Sequence, residues 1–239
     1  MRLVKFLAYC GICSRRKAKD LILTGKISVN GKVIKDLSYQ VDLSKDKVYL
    51  ETHLLSLPPK VYYLFYKPKG YLTSLFDPHE RNTIKPFLEG LPYKVFPVGR
   101  LDKHSEGLLL LTNDGDLANK LLHPRYQVIR VYRVWVSPKI EFEKINKFKT
   151  SGFLIENKLI KPLKFELIKE EQNKWIYEIS IKEGLKREIR KMISFLGGKV
   201  HKLLRIQFGP LKLRGLKPGQ IRPLTSSELK NLFLFIKNL

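Results

Sequence analysis

The first 25 residues contain two stretches in which apolar residues recur at helical spacing. In the first stretch they follow an i, i+3, i+4, i+7 pattern, which predicts a short helix with an apolar face made of Leu3, Phe6, Leu7 and Cys10. Ser14 is a suitable N-cap for a second helix from Arg15 to Leu23, and Gly25 follows as a stop. One face of this second helix is apolar, so its basic residues are expected to face solvent.

After this helix the pattern changes to that of β-structure. The segment 26–34 predicts a strand, an Asn30-Gly31 turn and a second strand, and Val48–Leu50 is expected to add a third. The segment His53–Lys60 contains two consecutive prolines and is typical of a linker. We therefore expect a domain of residues 1–56, a linker of residues 57–60 and a second domain of residues 61–239.

In the larger domain, strand patterns and amphipathic helix patterns follow one another irregularly. Strands are expected at Val61–Tyr66, Leu108–Thr112, Val128–Val136, Leu163–Ile168, Trp175–Ile181 and Val200–Phe208. Helices are expected around Leu117–Leu122, at Lys186–Leu196 and from Ser226 or Ser227 onward. This irregular order predicts an α+β fold rather than a regular series of βαβ units.

The charge of the chain is strongly positive and unevenly distributed. The sequence has 46 Lys and Arg against 22 Asp and Glu, a formal net charge of +24. Residues 1–50 hold 11 basic and 4 acidic side chains, and residues 182–222 hold 12 and 2, whereas the longer segment 51–181 is nearly balanced at 21 and 15. Two compact basic regions indicate two contact surfaces for a polyanion, either nucleic acid or an acidic membrane surface.

Several functional classes are disfavoured because the residues they require are missing. The longest unbroken aliphatic run, Leu108–Leu111, is far too short to cross a bilayer, and Lys5 interrupts the apolar start of the chain. Cys10 and Cys13 form a lone Cys-x-x-Cys without a second pair at metal-binding spacing, and the five histidines are scattered. We therefore expect a cytoplasmic protein that uses neither a metal nor a cofactor.

The segment Pro97–Gly115 holds the candidate chemistry of the sequence. Asp102 precedes a buried strand, a place where an acidic residue commonly caps a turn, and the pattern alone favours that structural role. If the backbone is extended there, Arg100 and Asp102 lie on the same side of it. Such an Arg–Asp pair is also often structural, so the residues by themselves leave a structural and a catalytic role open.

Four motifs in chain order resemble those of the pseudouridine synthases that act on ribosomal RNA, the group typified by RsuA and RluB. They are Tyr66–Gly70, the segment Pro97–Gly115, Arg130–Val134 and Glu183–Met192. The segments Asp77–Thr83 and Asp114–Pro124 are similar to those of RluB-like members in particular. Residues 1–50 resemble the small αL RNA-binding domain of a ribosomal small-subunit protein, through Arg2-Leu3, Lys5–Ala8, Ser14–Arg16 and Val29–Gly31.

The resemblance implies a catalytic domain with a mixed, largely antiparallel sheet. It also implies site-specific isomerisation of uridine to pseudouridine on a flipped-out nucleotide, without metal or cofactor. The matching positions are Asp102 for the catalytic aspartate, Arg190 for its arginine partner and Tyr132 for the active-site tyrosine. Arg100 matches the residue that fills the space left by the flipped base.

The resemblance also supplies candidate contacts to the RNA. Candidate substrate-binding residues besides Arg100 are Lys67, Arg130, Lys186, Arg187 and Lys191. Candidate RNA-binding residues of the N-terminal domain are Arg2, Lys5, Ser14, Arg15, Arg16, Lys19, Asn30 and Lys32. In the last motif, Leu185 and Lys186 stand where the family commonly has arginine and asparagine, which leaves the target nucleotide open.

The RluB-like features favour large-subunit ribosomal RNA as the substrate, either free or in pre-ribosomal particles, with small-subunit RNA as the alternative. We expect the protein to act as a monomer. The main competing function is a ribosome-associated RNA-binding protein without activity. A nuclease or a peripheral membrane protein fits less well, because the sequence has no cluster of carboxylates for metal ions and no large amphipathic face.

Overall fold

The computed structural model describes residues 1–155 and 157–239. The chain forms two compact units. The first contains Met1–Val61, Leu91–Val95 and Asn113–Gly115, and the second contains Tyr62–Gly90, Phe96–Thr112 and Asp116–Leu239. The first unit thus includes two short segments, 91–95 and 113–115, that no local sequence pattern assigns to it.

The first unit consists of two helices and a small antiparallel sheet. Its elements are α1 (Leu3–Tyr9), α2 (Arg15–Leu23), β1 (Ile27–Val29), β2 (Lys32–Val33), β3 (Val48–Leu50) and β4 (His53–Leu54), with the strand order β2-β1-β3-β4. Both helices pack their apolar faces into one core with the sheet, as the spacing predicts. The Ser14 hydroxyl accepts a hydrogen bond from the Lys17 amide at 3.3 Å, which confirms the predicted N-cap of α2.

The segment 53–60, which is typical of a linker in the sequence, begins with a short strand. His53 and Leu54 pair with Leu50 and Tyr49 to form β4, which lies inside the expected domain of residues 1–56 and before residues 57–60. The chain reverses at Glu51, whose φ of +54° closes a tight turn between β3 and β4. An acidic residue at a left-handed position is an uncommon turn signal, and the sequence pattern does not reveal it.

The second unit contains the remaining helices and strands. Its helices are α3 (Lys85–Leu88), α4 (Gly115–Leu122, of which Gly115 belongs to the first unit), α5 (Phe142–Ser151), α6 (Glu188–Phe195) and α7 (Ser226–Lys237). Its strands are β5 (Tyr62–Lys67), β6 (Phe96–Pro97), β7 (Glu106–Thr112), β8 (Arg130–Ser137), β9 (Phe153–Ile155), β10 (Lys158–Ile160), β11 (Lys164–Glu171), β12 (Lys174–Ile181), β13 (Lys199–Phe208), β14 (Leu211–Lys212) and β15 (Ile221–Pro223). No helix of the described residues is both long and apolar enough to span a membrane.

A large mixed sheet organises this unit. Its main path has the order β11-β12-β8-β13-β7-β5-β15, and among the described strands of this path all neighbours are antiparallel except β7 and β13. One apolar core packs α5 and α6 against this sheet, and a second core packs α4 and α7 against it. The α+β prediction and the largely antiparallel sheet are confirmed.

The parallel pairing of β7 with β13 positions the candidate site. Leu204 and Arg205 of β13 lie opposite Glu106 and Gly107, at the beginning of β7. On its other side, β13 pairs with β8, where Arg205 lies opposite Tyr132. The sheet therefore brings the loop that precedes β7 close to the strand that carries Tyr132.

Gly107 makes this pairing possible, and its replacement by alanine is expected to destabilise the protein by about 2–5 kcal/mol. Its φ is +108°, and a Cβ there would lie 2.4 Å from the Arg205 carbonyl oxygen, which is backbone and cannot move aside. Chemical denaturation measures the loss. Gly197→Ala is the matched control, because Gly197 also has a positive φ, of +84°, but a Cβ at that residue would meet no atom within 4 Å. Equal losses for the two variants would contradict the steric argument.

Candidate active site

A cleft of about 770 Å³ opens in the second unit. Its walls come from the loop before β7, the beginning of β8, the segment 181–189 and the end of β13. Six residues singled out by the sequence line this cleft together: Arg100, Asp102, Arg130, Tyr132, Lys186 and Arg187. Residues that are up to 87 positions apart in the sequence therefore share one concave surface with a strongly basic rim.

Asp102 lies half-buried in the loop before β7, and hydrogen bonds hold this loop on both sides of it. The Asp102 carbonyl accepts a hydrogen bond from the Ser105 amide at 2.9 Å. One residue earlier, the Thr73 hydroxyl donates to the Leu101 carbonyl at 2.7 Å and accepts from the Leu101 amide at 3.1 Å. Thr73 is buried, and nothing in its sequence surroundings indicates this role. The Asp102 carboxylate is thus presented from a fixed backbone.

The Lys67 ammonium group is fully buried and supports the same loop. It donates hydrogen bonds to the carbonyl oxygens of Pro68 at 3.0 Å, Asp102 at 3.3 Å and Ser105 at 2.8 Å. Burial lowers the pKa of Lys67 to about 8, although the charges of Asp102 and Glu106 act in the opposite direction. Lys67 is not among the residues that line the cleft, so its contact with the site runs through the backbone of the loop.

Arg190 on α6 reaches the loop from another direction. Its guanidinium donates to the carbonyl oxygen of His104 at 2.8 Å. Burial lowers the pKa of Arg190, the nearby Arg187 acts in the same direction, and the charge of Asp102 opposes both. Arg190 lines a second cavity of about 540 Å³ together with Arg187, Lys191 and Phe195. The charges of Arg190 and Asp102 therefore interact in the structure. Lys191 does not line the cleft and lies at the second cavity.

Tyr132 is held in the wall of the cleft by the sheet and its core. It is 8% exposed and packs in the cluster that includes Leu101, Ile179 and Ile189. Arg130, two residues earlier on β8, donates from Nη1 to the carbonyl oxygens of Val128, Lys182 and Glu183. Arg130 thereby ties the segment before α6 to β8, whereas Arg100, Lys186 and Arg187 are exposed on the rim.

Two buried charged residues of the cleft were not identified from the sequence. Arg205 is 3% exposed, and Glu188 is also 3% exposed. One oxygen of Glu188, Oε2, accepts a hydrogen bond from the Leu185 amide at 2.9 Å, whereas Oε1 is buried and has no partner. Charged residues are rarely buried, so a pattern of apolar positions does not find them.

Burial raises the pKa of Glu188 to about 7, and the charge of Glu183 adds to this effect. The folded protein therefore favours the protonated carboxyl group, and its stability falls as the pH rises from about 4.5 to about 7. We expect the unfolding free energy of Glu188→Gln, relative to that of the parent protein, to increase by about 3 kcal/mol across this range. Denaturant titrations at several pH values measure the difference.

The matched control for this prediction is Glu143→Gln, which changes an exposed acidic residue in the first turn of another helix, α5. This variant removes a carboxyl group that is exposed, so the increase of about 3 kcal/mol that burial causes should be absent from it. A flat profile for Glu188→Gln as well would show that the Glu188 carboxyl group is accommodated equally in both protonation states.

The candidate RNA-binding residues of the first unit lie mostly on its surface. Arg2, Ser14, Arg15, Arg16, Lys19, Asn30 and Lys32 are exposed, and Lys5 is half-buried with its ammonium group 5.2 Å from the centre of the Tyr9 ring. The Asn30 side chain donates to Asp46 at 2.8 Å and accepts from the Lys47 amide at 2.9 Å, so it also ties the turn between β1 and β2 to the segment before β3. The exposed face of α2 is strongly basic.

Among the described residues, no group of three or more His, Cys, Asp or Glu side chains is arranged to hold a metal ion. In the first unit, Cys10 and Cys13 are both free thiols, and burial raises the pKa of Cys10 to about 12. Cys10 packs against the core of that unit, as its helical spacing predicts.

The sequence profile of the RNA pseudouridylate synthases matches residues 61–195, which include the Asp102 loop, Tyr132 and Arg190. This chain belongs to that family. The profile of the S4 domain matches residues 1–48, the greater part of the first unit. The resemblance seen in the sequence motifs is confirmed, and the protein is an RNA pseudouridine synthase with an N-terminal S4 domain.

Similar proteins cover almost the whole length of this synthase. An RNA pseudouridine synthase of Aquifex aeolicus is 40% identical over 234 residues, which are 98% of this chain and 94% of that protein. The ribosomal large subunit pseudouridine synthase B of Bacillus subtilis is 38% identical over 236 residues, covering 97% and 95%. A crystal structure of a pseudouridylate synthase superimposes with a TM-score of 0.69 at 30% identity and covers 97% and 99% of the two chains.

Proposed function

We propose that this synthase converts a specific uridine of large-subunit ribosomal RNA to pseudouridine, with Asp102 as the catalytic carboxylate. The observation that carries the proposal is the position of Asp102, which lines the same cleft as Tyr132 and interacts electrostatically with the buried Lys67 and the half-buried Arg190. The similarity to a Bacillus subtilis enzyme named for the large ribosomal subunit supports the choice of RNA.

The reaction is an isomerisation, in which the N1–C1′ bond of uridine breaks and a C5–C1′ bond forms. No atom enters or leaves overall, so the enzyme needs only groups that bind, orient and move protons. A carboxylate suits this chemistry either as a nucleophile at C1′ or as a base that removes a ribose proton. The rigid loop around Asp102 would hold the carboxylate at one place while the detached uracil turns.

The size and lining of the cleft fit a single flipped-out nucleotide. A volume of about 770 Å³ lies within the usual range for small-ligand sites, and the target base must leave its stack to reach a concave site of this kind. The Tyr132 ring offers a face for stacking, and its hydroxyl group would carry a proton at C5. Arg100, which is exposed on the rim, would occupy the space that the base leaves in the RNA.

The basic surfaces would bind RNA phosphates. One is the exposed face of α2 in the S4 domain, and another is the rim formed by Lys186 and Arg187. Binding through phosphates weakens steeply as the salt concentration rises, whereas the choice of nucleotide depends on the shape of the RNA loop and on the flipped base. We also propose that the enzyme acts as a monomer in the cytoplasm, and light scattering of the free protein tests the first of these points.

Pseudouridine mapping tests the proposed substrate. Unmodified large-subunit and small-subunit ribosomal RNAs, and immature ribosomal particles, are incubated separately with the enzyme in EDTA, and modified positions are located by carbodiimide labelling and primer extension. We expect one new site, in large-subunit RNA. A site only in small-subunit RNA would refute the choice of substrate, and RNA binding at low salt without any new site would favour the non-catalytic alternative.

A further inference from the structure

Arg205 occupies the position in the sheet that joins the two halves of the candidate active site. It lies on β13, opposite Tyr132 of β8 on one side and Gly107 of β7 on the other. β7 begins four residues after Asp102. Arg205 is therefore next to the strand that carries the active-site tyrosine and next to the strand that follows the catalytic loop.

The contacts of Arg205 leave part of its guanidinium unused. Nε donates to the carbonyl oxygen of Leu108 at 2.8 Å, and the guanidinium lies 5.1 Å from the centre of the Phe208 ring. Nη2 is buried and has no hydrogen-bond partner. Arg205 is among the residues that line the cleft.

The surroundings of Arg205 supply few groups that compensate its charge. Arg205 and Tyr132 lie directly opposite each other in the antiparallel pairing of β13 with β8, which places their side chains next to each other on one face of the sheet. Burial lowers the pKa of Arg205, the interaction with Tyr132 opposes this effect, and the charge of Arg130 adds to it. A buried cation is costly unless it is paired. If its role were only to fill space in the sheet, an apolar side chain would do so at lower cost, so the position of this buried charge opposite Tyr132 indicates a role at the tyrosine.

We propose that Arg205 is a positioning residue of the isomerisation, which holds the Tyr132 hydroxyl group at a fixed point in the cleft while that group relays a proton at the base. This inference rests on the proposed function. During the reaction C5 loses one proton and N1 gains one, so a hydroxyl group that releases its own proton and takes the proton from C5 ends in its starting state. A relay of this kind depends on placement, and a displacement of about 1 Å costs about 10²-fold in rate.

A double-mutant cycle in the rate of the chemical step tests the inference. Single-turnover rate constants are measured for the parent enzyme, Arg205→Lys, Tyr132→Phe and the double variant on the mapped RNA. We expect Tyr132→Phe to lower the rate constant by about 10²-fold, Arg205→Lys to lower it by about 10-fold or more, and KM to change little. If Arg205 acts through Tyr132, the double variant should be no slower than Tyr132→Phe, within a factor of about 3.

Arg133→Lys is the matched control, because Arg133 is the next residue on β8 after Tyr132 and its side chain is exposed. It should keep the parent rate constant. Two losses that multiply in the double variant would overturn the inference, since Arg205 would then act independently of the tyrosine. Circular dichroism and thermal melting show whether each variant is folded.

A second measurement needs no enzymatic activity and separates this inference from the proposed function. The enzyme is prepared with ¹³Cζ-labelled tyrosine, and the Tyr132 resonance is assigned with Tyr132→Phe. We expect Arg205→Lys to shift this resonance while Arg133→Lys leaves it in place. An unchanged Tyr132 resonance in folded Arg205→Lys would overturn the inference even if the mapping experiment finds no pseudouridine, because the two side chains would not be in contact.

Discussion

Replacing Asp102 with asparagine is expected to abolish pseudouridine formation and to leave RNA binding unchanged. Asparagine has nearly the same shape, so the Asp102 backbone can keep its hydrogen bonds to Ser105 and Lys67. The amide can neither attack C1′ nor accept a ribose proton. We expect the single-turnover rate constant to fall by about 10⁴-fold or more, the upper end of what one positioned acid–base group supplies.

The matched control for this prediction is Asp20→Asn, which makes the same chemical change at an exposed position of α2 in the S4 domain. Its rate constant on saturating RNA should equal that of the parent enzyme. Filter binding at low salt compares the affinities of all three proteins for the same RNA. If Asp102→Asn retained a rate constant within about 10-fold of the parent, Asp102 would have no direct part in the chemistry.

Replacing Lys67 with methionine is expected to reduce both stability and activity. Methionine fills much of the same space, but the carbonyl oxygens of Pro68, Asp102 and Ser105 lose their common donor. An unsatisfied buried acceptor costs about 1–3 kcal/mol, so we expect the unfolding free energy to fall by about 3–5 kcal/mol. The loop would also lose the contact that holds Asp102 in place, and the rate constant should fall by about 10²-fold.

Lys69→Met separates these effects from the general loss of a positive charge. Lys69 is exposed and lies two residues along the chain, in the turn that follows β5. We expect its unfolding free energy, measured by urea denaturation, to stay within about 0.5 kcal/mol of the parent value. A Lys67→Met protein with parental stability but little activity would show instead that the ammonium group acts in the reaction and not in the structure of the loop.

The order and type of most elements follow from local pattern. The predicted helix at Arg15–Leu23, the Asn30-Gly31 hairpin and the strand at Trp175–Ile181 all appear in the structure within a residue or two. In contrast, α5 was not predicted. Only Ile145 and Phe148 of this helix are buried. Its three lysines lie among the few apolar residues, so the segment shows no clear amphipathic pattern. Its packing in the core against the sheet, and not its own sequence, stabilises it.

The helix α6 begins later than the spacing of its apolar residues predicts. The spacing of Ile189, Met192, Ile193 and Leu196 predicts a helix from Lys186, and these four residues are indeed buried. The helix begins only at Glu188, because Arg187 has a φ of +57°. This left-handed residue turns the motif segment 183–187 along the cleft, where Lys186 and Arg187 reach the rim.

By itself, the sequence determined the family, the two basic regions and the candidates Asp102, Tyr132 and Arg190, because ordered motifs and charge counts need no coordinates. Only the tertiary structure decided how these candidates are supported. The Lys67 ammonium group holds a carbonyl 35 residues away, and Arg205 holds one 97 residues away. Burial and hydrogen bonding of a charged group depend on which distant strands pair. That pairing cannot be predicted from a local pattern of polar and apolar residues.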